Sequence, residues 1–377
     1  MDTRRAFLKS AGAVLASGAA ATSASSFAAG PSGNPYDYPI VEGHRDIWEL
    51  TDRFKLRDKS QQSPMRDFLV PRMIEGGITV SIIPAGGDSE PQRDMQQPMF
   101  EGSMRVLDML LVEIEKTNGK ASIIRTKADV PKGPTKGKVQ IFLDLEGGGP
   151  IEIQPEPEYH PDRRLALLRQ FFRLGVRGMQ LTHHARNGLA DGWWEGKKSG
   201  GLSKFGVEVV KEMNRLGMMI GVSHLSGTGV LQTAELSKHP IVSTHQNVHP
   251  FVNTDLELTD EEIKAIAKTG GIVGIRHLGT ETPYPMLADE IMYLVKQIGV
   301  EHVGLGWMGH DKGHPEVGYI PGVSSGKEFT GLEAQSIYEH FSSFIKLLIE
   351  RGLSEKDINL VLGGNYLRIW NQILPAA

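Results

Sequence analysis

From residue 41 onward, short apolar runs alternate with longer amphipathic stretches. The runs at 77–84, 139–145, 178–182, 219–223, 241–244, 272–275 and 303–306 read as strands, each brief and bounded by turn-forming residues. Apolar residues recurring three and four positions apart predict helices over 95–117, 163–174, 206–216, 259–269, 284–298, 331–351 and 354–362. Strands alternating with helices over this length predict a parallel sheet. Seven or eight such units suggest closure into a (β/α)8 barrel, the TIM-like α/β fold. Thr259-Asp-Glu-Glu262 and Ser354-Glu-Lys-Asp357 resemble capping boxes at two helix starts, the second with Asp in place of Glu or Gln.

Composition fits that architecture. A chain of 377 residues, 40% hydrophobic and 23% charged, supplies one core of barrel size. The net charge is -4 with both signs spread along the chain, so no nucleic-acid partner and no anionic membrane surface are expected.

The first residues read as an address. Thr3-Arg4-Arg5-Ala6-Phe7-Leu8-Lys9, followed by the Ala-rich apolar stretch from Ala11 to Ala21, has the form of a twin-arginine signal, and Ser26-Phe27-Ala28 offers small residues for cleavage. The apolar run is too short and too rich in Ala and Gly for a secure membrane span. The expected layout is a signal peptide at 1–28, a linker at 29–40 and a single barrel domain at 41–377. Cysteine is absent, so neither a disulfide nor a lipid-bearing cysteine can form. The twin-arginine export machinery is therefore an expected partner, with a periplasmic or secreted product and no stable membrane anchor. The sequence leaves the oligomeric state open.

Five metal-capable side chains lie at the ends of strand-like segments: His44, Asp46, Glu146, His224 and His245. A His-x-Asp pair at i and i+2 puts both side chains on one face of a strand. Glu146 closes an alternating run and precedes three glycines, where backbone can turn sharply or approach a ligand. A lone histidine in such a place is usually a hydrogen-bonded structural residue. The set together is a nitrogen and oxygen donor group that zinc accepts, and that Mn, Fe or Co also accept.

Longer stretches carry a resemblance from about Val41 to Ile373: Gly43-His44-x-Asp46, Glu146-Gly147-Gly148, Leu181-Thr182-His183, Glu212-Met213-Asn214-Arg215-Leu216-Gly217-Met218, Ser223-His224-Leu225-Ser226, Ser243-Thr244-His245, Leu258-Thr259-Asp260, His302-Val303-Gly304-Leu305-Gly306 and Gly363-Gly364-Asn365-Tyr366-Leu367-Arg368. In these the chain resembles the membrane dipeptidase (renal dipeptidase) family of zinc peptidases. The resemblance implies a TIM-like barrel with two Zn2+ ions, one on His44, Asp46 and Glu146 and the other on Glu146, His224 and His245. It implies hydrolysis of a dipeptide or related amide by a metal-bridging hydroxide. His183 would contact the substrate and help hold the developing oxyanion. The adjacent His184 has no counterpart and reads as structural.

Three departures from the family pattern bear on the chemistry. Met308 stands where the family keeps a catalytic Asp, so Asp311 is the expected proton carrier, with His310 as the other candidate. Leu256 stands where relatives place a carboxylate-binding Arg, so Arg276 is the expected substrate-binding cation. Gly221 replaces an Asp near the matching histidine. These changes leave open an ester, lactone or phosphoester substrate, and a non-catalytic periplasmic metal-binding or ligand-binding relative.

Overall fold

The computed structural model describes residues 33–46, 63–88, 99–152, 161–277, 283–306 and 341–376. Nine parallel strands form its sheet: β1 (Ile40–Glu42), β2 (Ile78–Gly87), β3 (Ala121–Ile123), β4 (Val139–Glu146), β5 (Gly178–Gln180), β6 (Met219–Gly221), β7 (Ile241–Ser243), β8 (Ile272–Ile275) and β9 (Val303–Leu305). Eight of them follow one another as β1-β2-β4-β5-β6-β7-β8-β9, while β3 pairs with the start of β4. The ring is drawn nearly shut where the Gly43 amide donates to the carbonyls of Leu305 and Gly306 at 3.2 and 3.1 Å. An α/β barrel of the predicted class results.

Seven longer helices cover the outside, α1 (Met99–Glu115), α2 (Ala166–Leu174), α3 (Lys204–Leu216), α4 (Gly227–Leu236), α5 (Asp260–Lys268), α6 (Tyr284–Ile298) and α7 (Phe341–Glu350), while α8 (Asn365–Ile373) turns its apolar face to the barrel interior. Both expected capping boxes form, Thr259 with Glu262 and Ser354 with Asp357. The predicted helix at 163–174 is broken at Leu165, after a short turn at Pro161–Arg164. The one at 354–362 ends at Asn359, passes through an irregular turn at Leu360–Gly364 and resumes as α8. Within the stretch read as a linker, Pro35–Asp37 forms a short turn and Tyr38 is buried. No helix among the described residues is long and apolar enough to cross a membrane.

Strand alternation sorts the core into two layers. Ile141, Leu143 and Leu145 of β4 join the large cluster under the helices, whereas Phe142 joins a second cluster with Val41, Val80, Ile82, Met219, Val242 and Ile272. A cluster that draws one face from six strands is the barrel interior. Tyr366 and Trp370 of α8 complete it, with Trp370 stacked on Phe142 at 4.6 Å. By the same alternation Asp144 and Glu146 follow Phe142 inward, above this apolar floor.

Candidate metal centre

Glu146 stands at the end of β4 and is 4% exposed. Its Oε1 lies 3.4 Å from His44 Nε2, 3.6 Å from His183 Nε2, 3.3 Å from His224 Nε2 and 3.5 Å from His245 Nε2. His44 and Asp46 stand just past the end of β1 rather than within it, with His44 Nε2 3.4 Å from Asp46 Oδ1. His44 stacks on His245 at 3.9 Å. His224 and His245 follow β6 and β7, and their Nε2 atoms meet at 2.7 Å. All five sequence-predicted ligands therefore converge at the C-terminal strand ends, the end where barrel folds keep their chemistry.

Local geometry holds them there. His224 has φ 64, a left-handed conformation rare outside glycine. Its carbonyl accepts from the Trp193 amide at 2.9 Å and from Thr182 Oγ1 at 3.1 Å, which fixes the strained residue. The glycines after Glu146 wrap around Asp88. A Cβ at Gly147 or Gly149 would overlap its carboxylate, which instead accepts from the Gly149 amide at 2.6 Å and from Asn187 Nδ2 at 2.8 Å.

Electrostatics divide the histidines. Burial pushes the His44 imidazole down, but Glu146, Asp46 and Asp144 outweigh it and hold the group up at about 9. Burial, together with the neighbouring charges on His44 and Arg276, pushes His245 down to about 3, and burial likewise drives His224 well below the usual range. Glu146 is buried, yet His183 and His44 keep it well below the ordinary carboxylate range. The centre thus joins an anionic carboxylate to the neutral imidazoles of His224 and His245 and to a His44 held in its charged form. Among the described residues His44 Nδ1 and His224 Nδ1 have no hydrogen-bond partner, and two imidazole nitrogens face each other at contact distance. A buried set of lone pairs around one carboxylate oxygen fits divalent metal. Close donor sets occur around His44, Glu146 and His245 and around His183, His184 and His224.

The remaining predicted residues stand as follows. The His183 side chain is 14% exposed where those of His44, His224 and His245 are 2–5%, so it is the most exposed of the four histidines around Glu146. His184 stacks beside it at 3.7 Å, and its Nδ1 accepts from Trp193 Nε1 at 2.9 Å. Arg276 is buried and committed: Nη2 to Glu257 at 2.5 Å and Nε to Asn247 Oδ1 at 3.1 Å. Leu256 is buried as well. Met308, His310 and Asp311 lie outside the described residues. Sequence reading missed Asp88 and the buried pair Asp144 and Gln180. The signal for Asp144 was present, since it stands two positions before Glu146 on an alternating strand.

A model of the family described as membrane dipeptidase (peptidase family M19) matches residues 36–377. Dipeptidase verJ of Clonostachys rogersoniana is 26% identical over 355 residues, 89% of this chain and 84% of that protein. Dipeptidase 3 of Mus musculus is 28% identical over 356 residues, 89% of this chain, and the match spans 65% of its own length. A solved amidohydrolase from Pseudomonas aeruginosa superposes with a TM-score of 0.72 at 22% identity, over 90% of this chain and 98% of that one, a likeness of fold. The match along nearly the whole region after residue 35, on a barrel whose donors gather around Glu146, places the chain in the membrane dipeptidase family as a metal-dependent hydrolase.

Proposed function

We propose that the protein is an exported hydrolase that cleaves dipeptides or closely related amides and works with two divalent metals, zinc by the character of the donors. His44, Asp46 and Glu146 would hold one metal and Glu146, His224 and His245 the other, with Glu146 shared. The observation that carries this reading is the approach of four imidazole Nε2 atoms to a single oxygen, Glu146 Oε1, within 3.3–3.6 Å. Metals bound there would supply Lewis acidity and a water of lowered pKa.

The chain's own residues supply the rest. His183 Nε2 would donate to the carbonyl oxygen of the scissile bond and hold the charge that grows on it. Asp311 would take the proton of the attacking water and hand it to the leaving amine. Arg4-Arg5, with Phe7-Leu8-Lys9 and the apolar stretch from Ala11 to Ala21 behind them, support export to the periplasm through the twin-arginine route.

Metal analysis of the purified mature protein, followed by hydrolysis of L,L and L,D dipeptides and N-acyl amino acids with and without added zinc, tests the proposal. Zinc-dependent turnover of a dipeptide is expected. Turnover confined to non-amide bonds would overturn the substrate reading. The pairing of Arg276 with Glu257 favours adding substrates without a free carboxylate, including esters, lactones and phosphoesters.

A further inference from the structure

Beneath the centre lies a buried polar chain that no part of the hydrolytic reading uses. Thr244 Oγ1 meets His245 Nδ1 at 2.8 Å and Ser223 Oγ at 3.2 Å, Ser223 Oγ meets Ser243 Oγ at 3.4 Å, and Ser243 Oγ meets Gln246 Oε1 at 2.8 Å. Ser223, Ser243, Thr244 and Gln246 are all fully buried. We propose that this chain fixes His245 as its Nδ1–H tautomer, so that Nε2 meets the cluster with a free lone pair before any metal arrives.

The argument is a count of protons. Gln246 Nε2 donates to the Leu256 carbonyl, which can only accept, so Oε1 is the atom facing Ser243 and it too can only accept. Four contacts then need one proton each. The hydroxyls of Thr244, Ser223 and Ser243 carry three. Counting the 3.4 Å approach of Ser223 and Ser243 as a hydrogen bond, the fourth comes from His245 Nδ1, and the direction runs His245 to Thr244, Thr244 to Ser223, Ser223 to Ser243, Ser243 to Gln246.

Gln180 fits that order and fills the remaining sites of the chain. Its Nε2 donates to Thr244 Oγ1 at 3.1 Å and to Asp144 Oδ2 at 3.2 Å, while its Oε1 accepts from the Ser223 amide at 3.2 Å. The His245 amide donates to Ser223 Oγ at 3.1 Å. Thr244 Oγ1 and Ser223 Oγ therefore each accept twice and donate once, the full capacity of a hydroxyl. Gly221 makes room for this arrangement, because a Cβ there would overlap the Gln180 amide. The polar group missing at 221 is thus supplied from β4 and β5, and Gln180, Thr244 and Ser223 act as positioning residues.

The inference rests on the reading of His245 as a metal ligand, yet it is measured without turnover. In full-length, metal-free protein labelled with 15N-histidine, two-bond proton–nitrogen correlations should show His245 protonated on Nδ1, its signal assigned by loss in His245→Asn. A signal from Nε2–H would overturn the proposal. Zinc competition against a chromogenic chelator supplies the second arm. Thr244→Val should weaken the tighter competition by about 10–100-fold, the usual effect of losing a partner of a ligating histidine, and Thr244→Ser should stay within about threefold. Wild-type affinity in Thr244→Val, or equal loss in Thr244→Ser, would overturn it. Gln246→Met, which removes the terminal acceptor and lets the chain reverse, should give a mixture of tautomers, and an unmixed Nδ1–H signal there counts against the mechanism. Two bound zincs and dipeptide turnover with an Nε2–H tautomer would defeat this inference alone. The reverse result would defeat the functional reading alone.

Discussion

His224 and His245 face each other Nε2 to Nε2 at 2.7 Å, with Glu146 Oε1 3.3 and 3.5 Å from them. Burial drives both imidazoles toward the neutral form, so two ring nitrogens and a carboxylate charge, three metal donors, look into the same small volume. A cation bound there answers all three at once. That relationship explains why residues from four separated strand ends are held so closely together.

The raised His44 predicts a proton count. With its ordinary value near 6.5 lifted to about 9, His44 is an imidazolium in the metal-free protein at pH 7, paired with Glu146. Its contribution to the stability of the metal-free fold is fully present below about 6.5 and is lost as pH rises through about 9. Metal must displace that proton, so calorimetric zinc titrations in buffers of different ionisation enthalpy at pH 7 should show about one proton released from this site. Release independent of pH between about 6 and 10 would contradict it.

Gly221 and Gln180 should be coupled. Gly221→Ala should cost about 1–3 kcal/mol, because the new methyl group displaces the Gln180 amide from a packed interior. In a Gln180→Ala background the same substitution should cost much less. Denaturant unfolding of the double-mutant cycle measures the difference, and strict additivity would refute the contact.

Glu212 governs part of the acid limb. Arg215 and Arg169 both donate to it, and the Arg215 bonds above all hold its carboxyl down at about 2. A depressed carboxylate contributes stability above its ordinary value of 4.5 that disappears as pH falls toward 2. Glu212→Gln should therefore lower the thermal midpoint at pH 7 and show a shallower further fall between about pH 4.5 and 2. Parallel profiles for the two proteins would show that the pairs contribute nothing.

Asp311 carries the proton assignment. If its carboxylate moves the proton between water and leaving amine, Asp311→Asn should reduce kcat on the order of a hundredfold or more while metal content stays unchanged. Near wild-type turnover would remove Asp311 from the mechanism, with Asn or Ala at His310 the next substitution to measure.

Much of the barrel was legible because its strands are short apolar runs and its helices carry a clear apolar face. Tyr284–Ile298 and Ile272–Ile275 have the bounds their patterns predict. β3 escaped notice, being three residues long and paired only beside the start of β4. α4 was missed because two glycines and two threonines disguise it. Ser226 caps it by accepting from the Gly229 amide, and packing of Val230 supplies what propensity does not. α8 was missed because its apolar face fills the barrel interior, a destination that only the closed sheet defines.

The candidate centre was legible in the same uneven way. Glu146 followed from strand alternation and the glycines after it, and His224 and His245 from their places after β6 and β7. The layer of Asp144, Gln180, Ser223 and Thr244 was not, because it depends on which residues in or just past β4, β5, β6 and β7 stand at one height. Arg276 reads from sequence as a cation available to substrate, whereas the partner that engages it, Glu257, lies 19 positions away along the chain.

The metal-to-protein ratio of the zinc-loaded, desalted chain, measured beside Glu146→Gln, tests the shared-carboxylate centre most directly. The account predicts two metals per chain in the wild type and fewer than about one in the variant, with hydrolysis lost in parallel, since both metals depend on the same oxygen donors. A wild-type chain that holds a single metal, or a variant that retains two, would contradict it.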